Sequence, residues 1–161
     1  MKEMLAACFE HNRWANMRLA EACIAAGSVA LGASSEVGYG AILPTMRHIA
    51  LSEQAYLLHL RGAPIDRSPA ALREHAGMAE IRDWLAETGA ALVEAARQAV
   101  AGSTVVMAGY CPEQDRRAPC ELFFVQALDH GREHRTQVAA ALTVQGIVPP
   151  DMDGWTFYSR G

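Results

Sequence analysis

The chain has 161 residues, of which 51% are hydrophobic and 20% are charged, and its net charge is −4. This composition is that of an ordinary folded domain and excludes a disordered or fibrous chain. The small negative charge gives no electrostatic reason to expect nucleic acid or an anionic membrane as a partner, and no run of 18 apolar residues predicts a transmembrane helix. We therefore expect a single domain over residues 1–161.

The first eight residues, MKEMLAAC, resemble a lipoprotein cleavage site that ends at Cys8. A signal peptide needs an apolar stretch of about 7–15 residues, whereas this one is shorter and is interrupted by Glu3. The four cysteines include no C-x-x-C pair, and a chain of this length does not need disulfides to fold. These features favour a reduced, cytoplasmic location.

The dominant pattern in the sequence is that of long helices, in which apolar residues recur every three or four positions. Four helices are predicted, over residues 4–26, about 41–61, about 78–101 and about 120–145. Gly27 gives a stop signal for the first helix, and a glycine-rich and serine-rich loop is expected over residues 32–40. Residues 62–77 predict a long connection, and residues 104–107 have the composition of a short extended segment.

Four helices of this length with a long connection predict an all-α fold, a four-helix bundle with a long crossover. The C-terminal tail, residues 147–161, contains Trp155, Phe157 and Tyr158. Three aromatic side chains in so short a segment are expected to pack on the body of the bundle rather than stay in water.

A pair of histidines on the fourth helix is the most informative feature. His130 and His134 are four residues apart, which places both imidazoles on one face, where they can chelate one metal ion. Both also interrupt the apolar stripe of that helix, and buried imidazoles need partners. These positions favour a metal site over two solvated surface histidines.

A third ligand has to come from another helix, and His48 on the second helix is the candidate. Its alternative role is that of a core histidine bonded to a backbone carbonyl. His59 shares a face with His48, but eleven residues along a helix span about 16 Å, so the two cannot bind one ion. His11 and His75 are expected on the surface.

Two other kinds of metal site are less well supported by the sequence. A ferritin-like di-iron bundle needs two Glu-x-x-His motifs, and no glutamate here is followed three residues later by histidine. His130 to His134 also match the His-x-x-Glu-His signature of inverted zinc peptidases, with Glu133 as the base. The chain has no room for the α/β scaffold of those enzymes.

Together these motifs make the sequence similar to the DinB family of metalloenzymes. Residues 11–16 (HNRWAN) resemble the family's aromatic-Asn-x-Trp-Ala-Asn opening, although His11 stands where an aromatic residue is usual. Residues 45–50 (TMRHIA) resemble its first metal histidine, and residues 129–137 (DHGREHRTQ) resemble its His-x-x-x-His-Arg-x-Gln segment. Gly131 is a departure, since glycine is a poor helix former. The glycine, prolines and aromatic residues that follow residue 145 also fit the family.

The resemblance implies a DinB-like four-helix bundle, commonly a homodimer, in which His48, His130 and His134 hold one divalent ion. Zinc or nickel is the expected metal, with iron or manganese as alternatives. The resemblance also implies an enzyme that acts on a small-molecule substrate. Relatives with assigned roles transfer a low-molecular-weight thiol to an electrophile, or isomerise a substrate with thiol assistance.

Three further residues are candidates for a catalytic role. Glu53 is either a base or a carboxylate on the bundle surface. Asn12 either orients a ligand or makes a buried structural hydrogen bond, and Arg135 either binds an anionic substrate or forms an interhelical salt bridge. Trp14 and Gln137 are expected to be structural.

Two other functions stay open from the sequence. A non-catalytic, metal-binding stress-response protein would hold a structural ion, although structural zinc sites usually have four ligands and often use cysteine. A metal-dependent hydrolase would need a base near the ion, for which Glu53 and Glu133 are the candidates.

Overall fold

The computed structural model describes residues 2–32, 40–107 and 116–159, apart from the side chains of Val29 and Pro69. In chain order the elements within these ranges are α1 (Lys2–Gly32), α2 (Ile42–Leu60), α3 (Pro69–Leu72), α4 (Met78–Gln98), β1 (Thr104–Val106), β2 (Arg117–Pro119), α5 (Cys120–Val144) and α6 (Gly154–Tyr158). Four long helices dominate, and the prediction of an all-α fold is confirmed. A membrane-spanning stretch is not found in any helix of the described ranges.

The four long helices begin and end within a few residues of their predicted bounds, except at the end of α1. The predicted stop at Gly27 is a kink, because its φ of 82° leaves the helical region and the helix resumes up to Gly32. Glycine adopts this conformation without a steric penalty. The expected loop at residues 32–40 lies mostly outside the described residues.

The core consists of two apolar clusters, one toward each end of the bundle. The first takes residues from the end of α1, the start of α2, the start of α4 and the end of α5, and its larger members include Leu19, Met46, Ile49, Ile81, Trp84, Leu85 and Leu142. The second takes residues from the opposite ends of the same helices, and its larger members are Phe9, Leu57, Leu92 and Phe124.

This division gives the direction of each helix. α1 and α5 run from the second cluster toward the first, whereas α2 and α4 run from the first toward the second. Since α2 and α4 are packed side by side and run the same way, residues 61–77 must return along the bundle. These residues are the predicted long crossover, and they include the short helix α3, which is capped by the Ser68 hydroxyl.

A small hairpin precedes α5. The predicted extended segment forms β1 and pairs antiparallel with β2, so that Val105 lies opposite Ala118. The sequence analysis did not predict β2. The residues between the strands include 108–115, which lie outside the described part of the chain together with Cys111.

The prediction that all three tail aromatics pack on the bundle is correct for one of them. Phe157 is buried, with its ring centroid 5.3 Å from Trp14 and 5.4 Å from His11. Trp155 and Tyr158 are 88% and 72% exposed, so the prediction is wrong for them. The reason is geometric, because α6 has only five residues and a helix this short presents little more than one side chain to a neighbour.

Buried polar side chains separate the two apolar clusters. They come from all four long helices, and we call them the polar layer: Asn12, Asn16, Glu53, Thr88 and Arg135. The candidate metal-binding histidines of α5 lie at the same level, between Ala127 of the second cluster and Val138 of the first.

Candidate metal centre

Three imidazoles meet where α2 packs against α5. The Nε2 atom of His130 is 3.0 Å from Nε2 of His48 and 3.1 Å from Nε2 of His134. These ligand atoms all lie within 4.8 Å of one another, and the three residues form a group that could hold a metal ion. The structure thus brings together the three histidines that the sequence analysis singled out.

Helix geometry explains this convergence. His130 and His134 are one turn apart on α5, with ring centroids separated by 4.3 Å. His48 enters from the neighbouring helix α2, and its ring centroid is 4.8 Å from each of the other two. His134 is buried, whereas His48 and His130 are half-buried, so these two rings are partly exposed to solvent.

The arrangement of ring nitrogens fits a cation. His130 Nε2 is within hydrogen-bond distance of two other ring nitrogens. A neutral imidazole nitrogen carries either one proton or one lone pair, so it cannot serve both neighbours well. One ion at the centre would accept a lone pair from each ring. Two nitrogens at about 2.0–2.1 Å from a tetrahedral ion lie about 3.3 Å apart. The two distances from His130 Nε2, 3.0 Å and 3.1 Å, are close to this spacing.

The environment of His48 and His130 favours the neutral form of these two rings. Burial, followed by the nearby His134 and His48, lowers the pKa of His130 to about 4. Burial and then His134 also lower the pKa of His48. Since only the unprotonated imidazole nitrogen binds a metal ion, these two residues are in the ligand form at neutral pH.

Residues around the histidines orient the rings. Gln137 Oε1 lies 2.7 Å from His134 Nδ1, where it accepts the ring proton and leaves Nε2 as the ligand atom. The Ser52 hydroxyl is 3.5 Å from His130 Nε2, and the Tyr56 ring stands nearly perpendicular to the His130 ring at 6.1 Å. Gln137 was expected to be structural only, although its position one turn after His134 could have indicated this contact.

Glu53 does not lie on the bundle surface, so that expectation is wrong. It is 1% exposed, its Oε1 accepts hydrogen bonds from Asn12 and Asn16, and its Oε2 accepts one from Thr88 at 2.6 Å. Burial raises the pKa of this carboxyl, while these hydrogen bonds and the charge of Arg135 oppose the rise. The carboxylate oxygens are engaged within the polar layer.

Arg135 is buried, and its Nη1 donates to Asn12 Oδ1 at 2.6 Å and to Asn16 Oδ1 at 2.7 Å. Two amides thus stand between this guanidinium and Glu53, and the described residues show no direct salt bridge to Arg135. Asn12 makes the buried structural hydrogen bonds that were its alternative role. A Cβ atom at Gly131 would lie 3.0 Å from Asn12 Oδ1, so the glycine leaves room for this contact.

The sequence analysis missed Asn16 and Thr88. Asn16 lies one turn after Asn12 in the HNRWAN motif, so the repeat of asparagine on one helix face was an available signal. Thr88 interrupts the apolar stripe of α4 between Leu85 and Leu92, which was the corresponding signal there.

The other sequence candidates are not part of the group of three imidazoles. His59 is buried near Phe123, and His75 is exposed as expected. His11 is half-buried rather than on the surface, and its Nε2 lies 2.9 Å from the Met152 carbonyl oxygen. Glu133 is exposed.

Comparison with known proteins places the chain in a family. The model of the DinB superfamily matches residues 41–138, more than half of the 161 residues, and the chain belongs to this superfamily. The matched segment contains the three histidines, Glu53 and Arg135, whereas Asn12 precedes it. No curated protein matches the chain.

Proposed function

Starting from membership of the DinB superfamily, we propose that the protein is a divalent-metal-dependent enzyme that uses a low-molecular-weight thiol, either as an S-transferase or as an isomerase. The observation that carries the proposal is the convergence of three imidazole nitrogens within ligand distance of one another. Three neutral ligands leave the full charge of a divalent ion uncompensated, and a thiolate is an anionic ligand that suits such a site.

A bound ion of this kind supplies charge that stabilises a thiolate near neutral pH. The chain's own residues provide the geometry for this. Gln137 holds the His134 ring in one tautomer, and the Ser52 hydroxyl lies beside the ligand atom of His130, where it can donate to a bound anion. The half-buried His48 and His130 leave one side of the site accessible to a small substrate.

The hydrolase alternative has less support, because one candidate base is fully hydrogen-bonded and the other is exposed to solvent. The Glu53 carboxylate accepts three hydrogen bonds inside the polar layer, and Glu133 is exposed. A thiol-dependent reaction does not need either carboxylate, since the thiolate itself is the nucleophile.

Zinc or nickel is the metal we propose, and iron or manganese would also be tested. The test uses protein stripped of metal and reloaded with each ion, with glutathione or cysteine as the thiol and monochlorobimane as the electrophile. In this reaction the thiolate sulfur bonds to carbon, chloride leaves, and the thiol proton goes to solvent. The loaded protein should accelerate the reaction, and His130→Ala should abolish the acceleration.

The matched control is His75→Ala, which removes an exposed histidine of the crossover and should keep full activity. Wild-type protein that binds the metal but accelerates neither thiol reaction would contradict the proposal for these thiols. Activity that persists in metal-free protein would contradict the metal requirement.

We also propose that the protein works as a homodimer in the cytoplasm. The dimer is supported by large apolar side chains on the surface, including Trp155, Val148 and Val125. The cytoplasmic location is supported by the free thiols of Cys8, Cys23 and Cys120, which suit a reducing compartment. Light scattering of the purified protein tests the dimer, for which a mass twice that of the 17.4 kDa chain is expected.

A further inference from the structure

The polar layer crosses the bundle beside the three histidines. Glu53 Oε1 accepts hydrogen bonds from Asn12 Nδ2 at 2.9 Å and Asn16 Nδ2 at 2.8 Å, and both amide oxygens accept from Arg135. Thr88 donates to the other carboxylate oxygen. One connected network therefore joins α1, α2, α4 and α5 in the middle of the bundle.

The network is attached to the same two helices that carry the histidines. Arg135 follows His134 directly on α5, and Gly131, which follows His130, leaves the space that Asn12 occupies. On α2, Glu53 lies five residues after His48, about 7.5 Å along the axis and on a different face. Each helix that carries histidines is thus hydrogen-bonded to α1 through one of its faces, whereas its histidines lie on a different face.

Hydrogen bonds of this kind restrict how a helix can rotate about its axis. Apolar side chains pack in several arrangements of similar energy, whereas a buried carboxylate or guanidinium is satisfied only when its partners lie in the right direction. A rotation of α2 or α5 would separate Glu53 or Arg135 from the asparagines and would also move the imidazoles apart.

We propose that the polar layer sets the rotation of α2 and α5 and so holds His48, His130 and His134 at ligand spacing. Asn12, Asn16, Glu53, Thr88 and Arg135 are then positioning residues rather than catalytic ones. This inference rests on the metal site of the proposed function but not on the thiol reaction.

Thr88 offers the sharpest test, because it lies on α4, which carries none of the three histidines. Thr88→Val keeps the shape of the side chain and removes the bond to Glu53, whereas Thr88→Ser keeps the hydroxyl. The probe is Zn²⁺ alone, titrated into metal-free protein in competition with a chromophoric chelator. We expect zinc affinity to fall about tenfold or more in Thr88→Val, as for other residues that orient metal ligands, and to stay near wild type in Thr88→Ser.

Leu92→Ala is the matched control, since Leu92 is a fully buried residue one turn further along α4 in the second apolar cluster. It should destabilise the protein, measured by thermal unfolding, without weakening zinc binding more than about twofold. Arg135→Lys is the second variant of the network, because it keeps the charge but replaces the planar guanidinium, whose Nη1 donates to both asparagines, by a shorter side chain with a compact ammonium group. It should also weaken zinc binding.

Wild-type zinc affinity in folded Thr88→Val or Arg135→Lys would overturn the inference, as would an equal loss of affinity in Leu92→Ala. If Thr88→Val does not fold, Arg135→Lys and Leu92→Ala decide between the two outcomes. A wild-type protein that binds zinc but has no thiol activity would contradict the proposed function and leave this inference standing.

Discussion

Two polar clusters share α2 and α5, yet they differ in the contacts that their polar atoms make. In the polar layer, donors meet acceptors, so that the Arg135 guanidinium reaches the Glu53 carboxylate through two asparagine amides. In the histidine cluster, three ring nitrogens converge on one point, and His130 Nε2 faces two of them at once. The side chains of the first cluster are hydrogen-bonded to one another, whereas the second cluster is a group that could hold a metal ion.

This difference helps to distinguish a polar cluster with a structural role from a binding site. Buried polar groups are expected to be paired, so a matched network is explained by folding alone. Several ring nitrogens within ligand distance of one another form a group that could hold a metal ion.

The largest effect is expected on stability, from breaking the polar layer. Glu53→Ala leaves Arg135 buried without a carboxylate and removes the acceptor of two amides, so the free energy of unfolding should fall by about 3–5 kcal/mol. Urea unfolding of metal-free protein, followed by circular dichroism, measures it. A loss below about 1 kcal/mol, the size expected for an exposed carboxylate, would refute the account of this layer.

An intermediate effect is expected on metal binding, from removing the residue that orients His134. Gln137→Ala removes the acceptor at 2.7 Å from His134 Nδ1, and zinc affinity should fall about 10–100-fold. Chelator competition measures it. Gln126→Ala, an exposed position on the same helix, is the control and should bind zinc like wild type.

A smaller effect is expected where the two clusters meet. Alanine normally stabilises a helix by about 1 kcal/mol relative to glycine. In Gly131→Ala the new Cβ would lie 3.0 Å from Asn12 Oδ1 and 3.1 Å from Arg135 Nη1, so we expect a net loss of about 1 kcal/mol instead. Gly154→Ala is the control, because a Cβ there meets no neighbour within 4 Å. Thermal unfolding that shows a gain for Gly131→Ala would argue against a tight fit.

The smallest effect is expected at Glu133. This residue lies inside the histidine motif but is exposed, so Glu133→Gln should change zinc affinity less than twofold and stability by less than about 0.5 kcal/mol. Any metal-dependent activity should also be kept. A loss of activity with metal still bound would restore Glu133 as a base and favour the hydrolase alternative.

Much of the fold was predictable because each long helix has its own signals. Apolar residues at three-residue and four-residue steps, with Gly27 near the end of the first helix, were enough to predict four helices. The histidine pair was also predictable, since residues four apart on a helix share a face. His48 followed from its place on a neighbouring helix together with the resemblance.

The polar layer was not predictable in the same way, because its bonds join residues far apart in the chain. Whether Glu53 faces solvent or core depends on which helix packs beside it. The crossover places α4 next to α2, and the sequence around Glu53 contains no signal of that packing. The exposure of Trp155 was also not predictable from the local sequence. Hydrophobicity alone does not show which way a residue points in a five-residue helix.

The most direct test of the central claim is the zinc content of the protein after loading and desalting, compared between wild type and the double variant His130→Ala, His134→Ala. We predict about one ion per wild-type chain, as expected for three converging imidazoles, and almost none in the variant, with both proteins folded. A folded wild-type protein that retains no zinc or nickel, or a variant that retains as much as wild type, would contradict the account.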